Sequence, residues 1–214
     1  MAYVVGLIAT DGCLVNTGRH IAFVTCDRDL MESFLGCLGR ETRYRMARTR
    51  IGNPVYRIQF SDVALYRWLL SIDLTQRKSL TLGAIDVPDE FFFPLVRGLL
   101  DGDGTIQNFV HAPTPSTYPE YRYERLWVIF CSASRPHLEW LRAGLARALG
   151  LHGYLAQAKR RDGRHDLFTL KYGKHASLRL LRALYEDPAA PRLERKWMKW
   201  VRYCERNLGA AGGT

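Results

Sequence analysis

The chain has 214 residues, 47% of them hydrophobic, enough to bury one core or two of roughly 100 residues each. Lysine and arginine outnumber aspartate and glutamate 31 to 21, and the resulting charge of +10 favours polyanionic partners. The five cysteines, Cys13, Cys26, Cys37, Cys131 and Cys204, are odd in number and scattered, which argues against a disulfide framework or a zinc site. No apolar run approaches the roughly 20 residues that span a bilayer, and the start lacks signal-peptide character. The expectation is a soluble protein of the cytoplasm or an organellar matrix, without membrane contact.

In chain order, residues 2 to 11 predict an apolar helix closed by Gly12. The turn Asn16-Thr17-Gly18 leads into an apolar strand, Ile21 to Val24. Asp27 stands where an N-cap belongs, and the following helix places Leu30, Phe34, Cys37 and Leu38 on one face before Gly39 stops it. A basic hairpin runs from Thr42-Arg43-Tyr44-Arg45 through Gly52-Asn53-Pro54 and back along Val55 to Phe60, alternating apolar with polar. A third helix starts at Asp62, with Ala64, Leu65, Trp68 and Leu69 as its buried stripe.

The second part repeats this order. Its opening helix ends at Asp103-Gly104, and an excursion rich in proline and tyrosine, His111 to Tyr123, precedes the strand Leu126 to Phe130. Ser134 caps a helix with the stripe Leu138, Leu141, Leu145 and Leu149. A second basic hairpin turns at Asp162-Gly163. On it Gln157, Lys159 and Arg161 share one parity, as do Thr169 and Lys171 across the turn; Tyr154, Ala156 and Ala158 are assigned with the apolar residues to the core face. Helices near 174 to 186 and 192 to 207 follow, and Pro88 marks the junction of two units, 1–88 and 89–214. Each unit is an α+β repeat, αββαββα, with a four-stranded antiparallel sheet.

The two opening helices share a phrase: Val4-Val5-Gly6-Leu7-Ile8-Ala9-Thr10-Asp11-Gly12 and Val96-Arg97-Gly98-Leu99-Leu100-Asp101-Gly102-Asp103-Gly104. Gly6 with Thr10, and Gly98 with Gly102, form small-residue stripes at four-residue spacing, so the helices are expected to pack face to face. Each then delivers a carboxylate to a helix C-terminus, where the macrodipole disfavours negative charge. Two such groups side by side call for a cation, and oxygen ligands with waters suit Mg²⁺.

The doubled phrase, with the helix and hairpin order of the whole chain, resembles the LAGLIDADG homing endonucleases in their monomeric, two-motif form. The resemblance implies that the motif helices meet on a pseudo-twofold axis and that Asp11 and Asp103 hold two or three Mg²⁺ ions, which Mn²⁺ or Ca²⁺ can replace for binding. The backbone carbonyls of Thr10, Gly12, Gly102 and Gly104 are candidate further ligands. Ala9 departs from the motif where the family carries aspartate, while Asp101 occupies the matching place in the second copy and is expected to act as a hydrogen-bonding group at the helix end. Lys78 and Lys196, at comparable places in the two halves, are candidate catalytic residues near the scissile phosphates; an ordinary surface lysine is the alternative for each. Asp27 and Ser134 lie beside positions that are often polar in the family's active sites, but they read as N-caps.

The basic hairpins are the expected DNA surface. Arg43, Arg45, Arg57 and Gln59 in the first half, and Gln157, Lys159, Arg161, Thr169 and Lys171 in the second, can address guanine and adenine edges in a major groove. Arg48 and Arg50, like Arg160 and Arg164, belong with phosphates near the turns. The implied partner is double-stranded DNA with a long asymmetric target, bound by a monomer and cut to short 3′ overhangs, as in intron homing. An RNA maturase or a non-cleaving DNA-binding regulator on the same fold stays open as the alternative.

Overall fold

A computed structural model describes residues 1–114, 116–158, 165–207 and 209. The apolar phrase forms helix α1 (Ala2–Asp11), followed by strands β1 (Gly12–Leu14) and β2 (His20–Thr25), helix α2 (Arg28–Cys37), strands β3 (Arg45–Arg48) and β4 (Pro54–Ser61), helix α3 (Val63–Ser71) and a single turn, α4 (Lys78–Thr81). After a 3-10 turn at Asp89–Phe91 the order returns as α5 (Phe92–Asp101), β5 (Thr105–His111), β6 (Tyr123–Ser132), α6 (Arg135–Leu149), β7 (Tyr154–Ala158), β8 (Leu167–Tyr172), α7 (Lys174–Leu184) and α8 (Glu194–Asn207). The architecture is α+β, with two antiparallel four-stranded sheets ordered β1-β2-β4-β3 and β5-β6-β8-β7. Among the described residues no helix is long and apolar enough to cross a membrane.

Alternation along the strands decides which face each sheet buries. Ile21, Phe23, Ile58 and Phe60 point into the core in the first sheet, and Leu126, Val128, Phe130 and Leu170 in the second. Phe23 stacks on Phe34 of α2 with centroids 4.2 Å apart, so helix and sheet lock through aromatic surface. The opposite face of each sheet is left open.

The two halves meet at α1 and α5. A Cβ added to Gly6 would lie 2.8 Å from Gly98 Cα, and one added to Gly98 would lie 3.0 Å from Gly6 Cα and strike the Tyr3 carbonyl. Only hydrogen side chains permit this approach. Further along, a Cβ on Gly102 would sit 2.6 Å from Thr10 Cβ.

Three local expectations change. Gly12 caps α1 in an extended conformation, φ −90°, and enters β1 at once, so no left-handed cap separates the motif from its sheet. The α3 stripe consists of Tyr66 and Leu69, while Ala64 and Trp68 are exposed. Tyr66 sets this rotation: its hydroxyl donates to the Val15 carbonyl at 3.0 Å and accepts from Gln76 at 2.8 Å. In β7 the register pairs Gln157 with Phe168 and Tyr154 with Lys171. Gln157 therefore belongs to the helix-facing side, and Tyr154, Ala156 and Ala158 share the open face with Thr169 and Lys171. Leu155, partly buried against the core, fixes the parity of this edge strand. Lys159 and Arg161, with Arg160, Arg164 and the Asp162-Gly163 turn, lie outside the described residues.

Candidate active site and nucleic-acid interface

Helices α1 and α5 converge at their C-terminal ends, where Asp11 and the turn residue Asp103 follow the close glycine crossing. Burial pushes the Asp11 carboxyl up to about 6, and the neighbouring charge of Asp103 pushes the same way, while Lys196 and Lys78 oppose it. Asp103 is open to solvent on one side, yet desolvation still raises it above the ordinary carboxylate range against the pull of both lysines. The fold thus holds two carboxylates together where neither is at ease as an anion.

Both candidate lysines are buried, Lys78 only 6% and Lys196 only 3% exposed, which removes the surface-lysine alternative. Lys78, on α4, donates to the Gly12 carbonyl. Lys196, on α8, donates to the carbonyls of Leu100 at 2.7 Å, Asp101 at 2.8 Å and Gly102 at 3.1 Å. Each half thus uses a fourth helix to bring one ammonium against the negative end of its motif helix. Desolvation draws the Lys196 amine down to about 8 and lowers Lys78 as well.

Asp101 does not join the site. It is 1% exposed and accepts from Tyr3 Oη at 2.9 Å and the Leu193 backbone N–H at 2.8 Å, with Tyr185 Oη at 3.5 Å, tying α1, α7 and the start of α8 together. Asp27 and Ser134 occupy N-cap positions without capping through their side chains. Asp27 instead pairs with Arg195 of α8 through two hydrogen bonds of 2.7 and 2.9 Å, and Ser134 Oγ donates to the Leu82 carbonyl at 2.5 Å.

The donor set fits a hard divalent cation. Among the described residues no group of three or more His, Cys, Asp or Glu gathers anywhere. The protein therefore offers two carboxylates and nearby backbone oxygens, and an ion that keeps several waters suits so few fixed ligands. The carbonyls of Gly12 and Gly102 already accept from lysines, while those of Thr10 and Gly104 flank the carboxylates in the chain.

The open sheet faces begin where the site ends, because β1 and β5 start directly after the motifs. On the first sheet Arg45 lies opposite Arg57, and Gln59 opposite Ala22, all on the open face. Arg43 precedes β3, Arg50 is exposed in the turn, and Arg48 lies on the other face and donates to Gly52 O at 2.9 Å. On the second sheet the register adds Gln107, Phe109, Tyr123, Arg125, Trp127 and Ile129 to the open face of Thr169 and Lys171. The sequence reading missed this row because β6 is apolar on both faces, which hides its alternation. It also missed Lys199, Arg202 and Arg206 of α8, which line an open cleft beside Gln107 and Phe109.

Two αββαββα halves joined through a glycine-packed helix pair, with an aspartate ending each motif and an open sheet beside it, define the LAGLIDADG homing endonuclease fold. Among solved structures, mesophilic variants of the homing endonuclease I-DmoI superpose with a TM-score of 0.57 at 14% identity, over 94% of this chain and 96% of that one. The meganuclease I-SmaMI bound to uncleaveable DNA gives 0.58 at 14% identity, over 96% and 90%. The N-terminal LAGLIDADG domain of DUF199/WhiA gives 0.56 at 14%, over 86% and 79%. That last domain is not named as an endonuclease, so the fold alone does not define cleavage. No protein-family model and no curated protein matches the sequence.

Proposed function

We propose that this chain is a site-specific DNA endonuclease that makes a metal-dependent, staggered double-strand break with short 3′ overhangs in a long asymmetric target. The carrying observation is the meeting of Asp11 and Asp103 between two open, cation-bearing sheets. I-DmoI has been solved in complex with DNA and Mn or Ca, and a single-site variant of it with target DNA in the presence of Mg, which supports a divalent cofactor. The two repeats, 1–88 and 89–214, act together as a monomer, one on each half-site.

Asp11 and Asp103 would hold the ions, with help from the Thr10 and Gly104 carbonyls. The chemistry such a cation would supply there is activation of water and stabilisation of charge on the phosphate and the leaving 3′ oxygen. Lys78 and Lys196 act as positioning residues: they fix the helix-end carbonyls and place positive charge behind the carboxylates without neutralising them by direct contact. Arg43, Arg45, Arg57 and Gln59, with Thr169 and Lys171, are assigned to the major groove, while Arg48 and Arg50 serve the phosphates. Lys159 and Arg161, by their charge alone, are assigned to the same duplex.

Incubation with a randomised duplex library and Mg²⁺, followed by sequencing of cut ends, tests this reading. The native chain should yield one enriched asymmetric site, and Asp11→Asn and Asp103→Asn should each suppress double-strand cleavage. Equal cutting by both variants would falsify the mechanism. Enriched binding with no cutting by any form would leave a DNA-binding regulator, and enrichment of RNA alone a maturase.

A further inference from the structure

The open faces of the two sheets differ in chemistry. On the first, the functional side chains are Arg45, Arg57 and Gln59, and their apolar neighbours Ala22, Val24 and Ala47 are small. On the second, moving outward from the active site, Ile129 lies opposite Thr105, Trp127 opposite Gln107, Phe109 opposite Arg125, and Tyr123 opposite His111. Phe109 is 40% exposed, and Tyr154, opposite Lys171, is 72% exposed. So much exposed aromatic surface in one row marks a contact face.

The π-system of Trp127 is already engaged within its own sheet. The Lys171 ammonium lies 3.0 Å from the ring centroid, the Arg125 guanidinium 5.3 Å away, and Phe109 meets the ring edge-on with centroids 5.1 Å apart. Arg125 also lies 5.2 Å from the Tyr123 ring. The row therefore presents apolar edges among cations rather than vacant platforms for unstacked bases. In a major groove, apolar surface has one base-specific counterpart, the 5-methyl group of thymine.

We propose, on the basis of the duplex-DNA reading above, that the second sheet recognises its half-site through thymine methyl groups held against Phe109, Tyr123 and Trp127, whereas the first sheet recognises its half-site by hydrogen bonding. Lys171 and Arg125 then serve to hold the rings and to meet the backbone charge. The two halves of one target are chosen by two different forces.

The test takes the duplex enriched from the randomised library, held by the full chain in Ca²⁺, and replaces thymine with deoxyuridine in one half at a time, a change that removes only the methyl groups. Affinity should fall in one half only, by about fourfold for each contacted methyl. The Phe109→Ala variant should lose part of this sensitivity, and Arg57→Ala should weaken binding to the other half. Equal affinity for thymine and deoxyuridine duplexes, equal loss in both halves, or an enriched site whose second half holds no thymine overturns the proposal. So does tighter binding of a single-stranded competitor, which would assign the row to stacking. If no duplex is enriched, the endonuclease reading falls and takes this proposal with it; a duplex that is cut yet indifferent to the methyl groups overturns this proposal alone.

Discussion

Tyr3 and Asp101 are joined across the crossing of the two motif helices by a 2.9 Å hydrogen bond, between residues that take no part in the proposed chemistry. The Asp101 carboxyl is held at about 6 because burial outweighs the hydrogen bonds from Leu193 N–H and Tyr3 and the nearby Lys196 and Arg97. A folded-state value above the unfolded one, ~4, means that this group's stabilising contribution is full below about pH 4 and is lost as pH rises through 6. Asp101→Asn keeps one oxygen to accept from Tyr3 and Leu193, so thermal melts from about pH 4 to about pH 7 should show a flatter profile than the native chain and a higher Tm near pH 7. An unchanged profile would show that the pH dependence comes from other groups.

The glycine crossing predicts opposite responses to one change. Gly6→Ala or Gly98→Ala forces backbone against backbone and should cost about 3 kcal/mol, read as a fall in Tm. Gly36→Ala, in α2 with nothing within 4 Å of the added Cβ, should instead stabilise by roughly 0.5 to 1 kcal/mol. A similar small effect at all three positions would contradict the close packing.

Neutralising Asp11 or Asp103 should raise stability when metal is absent. Because burial and Asp103 both hold the Asp11 carboxyl near 6, Asp11→Asn should stabilise the metal-free protein by about 1 kcal/mol at neutral pH. Adding Mg²⁺ should raise the Tm of the native chain with the logarithm of its concentration above the Kd and leave an Asp11→Asn/Asp103→Asn double variant unmoved. Calorimetry in the presence and absence of chelator measures both effects.

Replacing the buried lysines with methionine separates their weight. Lys196→Met leaves the carbonyls of Leu100, Asp101 and Gly102 without their shared donor and should cost about 3 kcal/mol, against about 1 to 2 for Lys78→Met, which frees one. Chemical denaturation gives the order; equal costs would mean that the contacts of Lys196 do not scale with their number.

The repeat, the face-to-face pairing of the motif helices and the succession of helices and hairpins are legible because they rest on periodicity: small residues every fourth position and alternation along β2, β4 and β8 are written locally. The burial of Lys78 and Lys196 was not, since a lysine's partners here are carbonyls 66 and more than 90 residues away in the chain. Gln157 was assigned to the wrong face because β7 is an edge strand whose single inward apolar residue, Leu155, carries the whole parity signal. Trp68 misled for a related reason: helical spacing fits two adjacent stripes on α3, and only the bond from Tyr66 to Val15 chooses between them. Asp27 stood correctly at an N-cap, but its partner Arg195 is supplied by the other half.

The glycine crossing is self-complementary, Gly6 meeting Gly98 as Gly98 meets Gly6, but its surroundings are not. Asp27 takes a charged partner, Arg195, from the opposite half, while at the corresponding place Ser134 takes only a neutral one from across the seam, the Leu82 carbonyl. One chain carrying both sides of a symmetric joint is free to mutate each side separately, as two identical subunits never are. The seam can stay fixed while the two open sheet faces drift apart in chemistry.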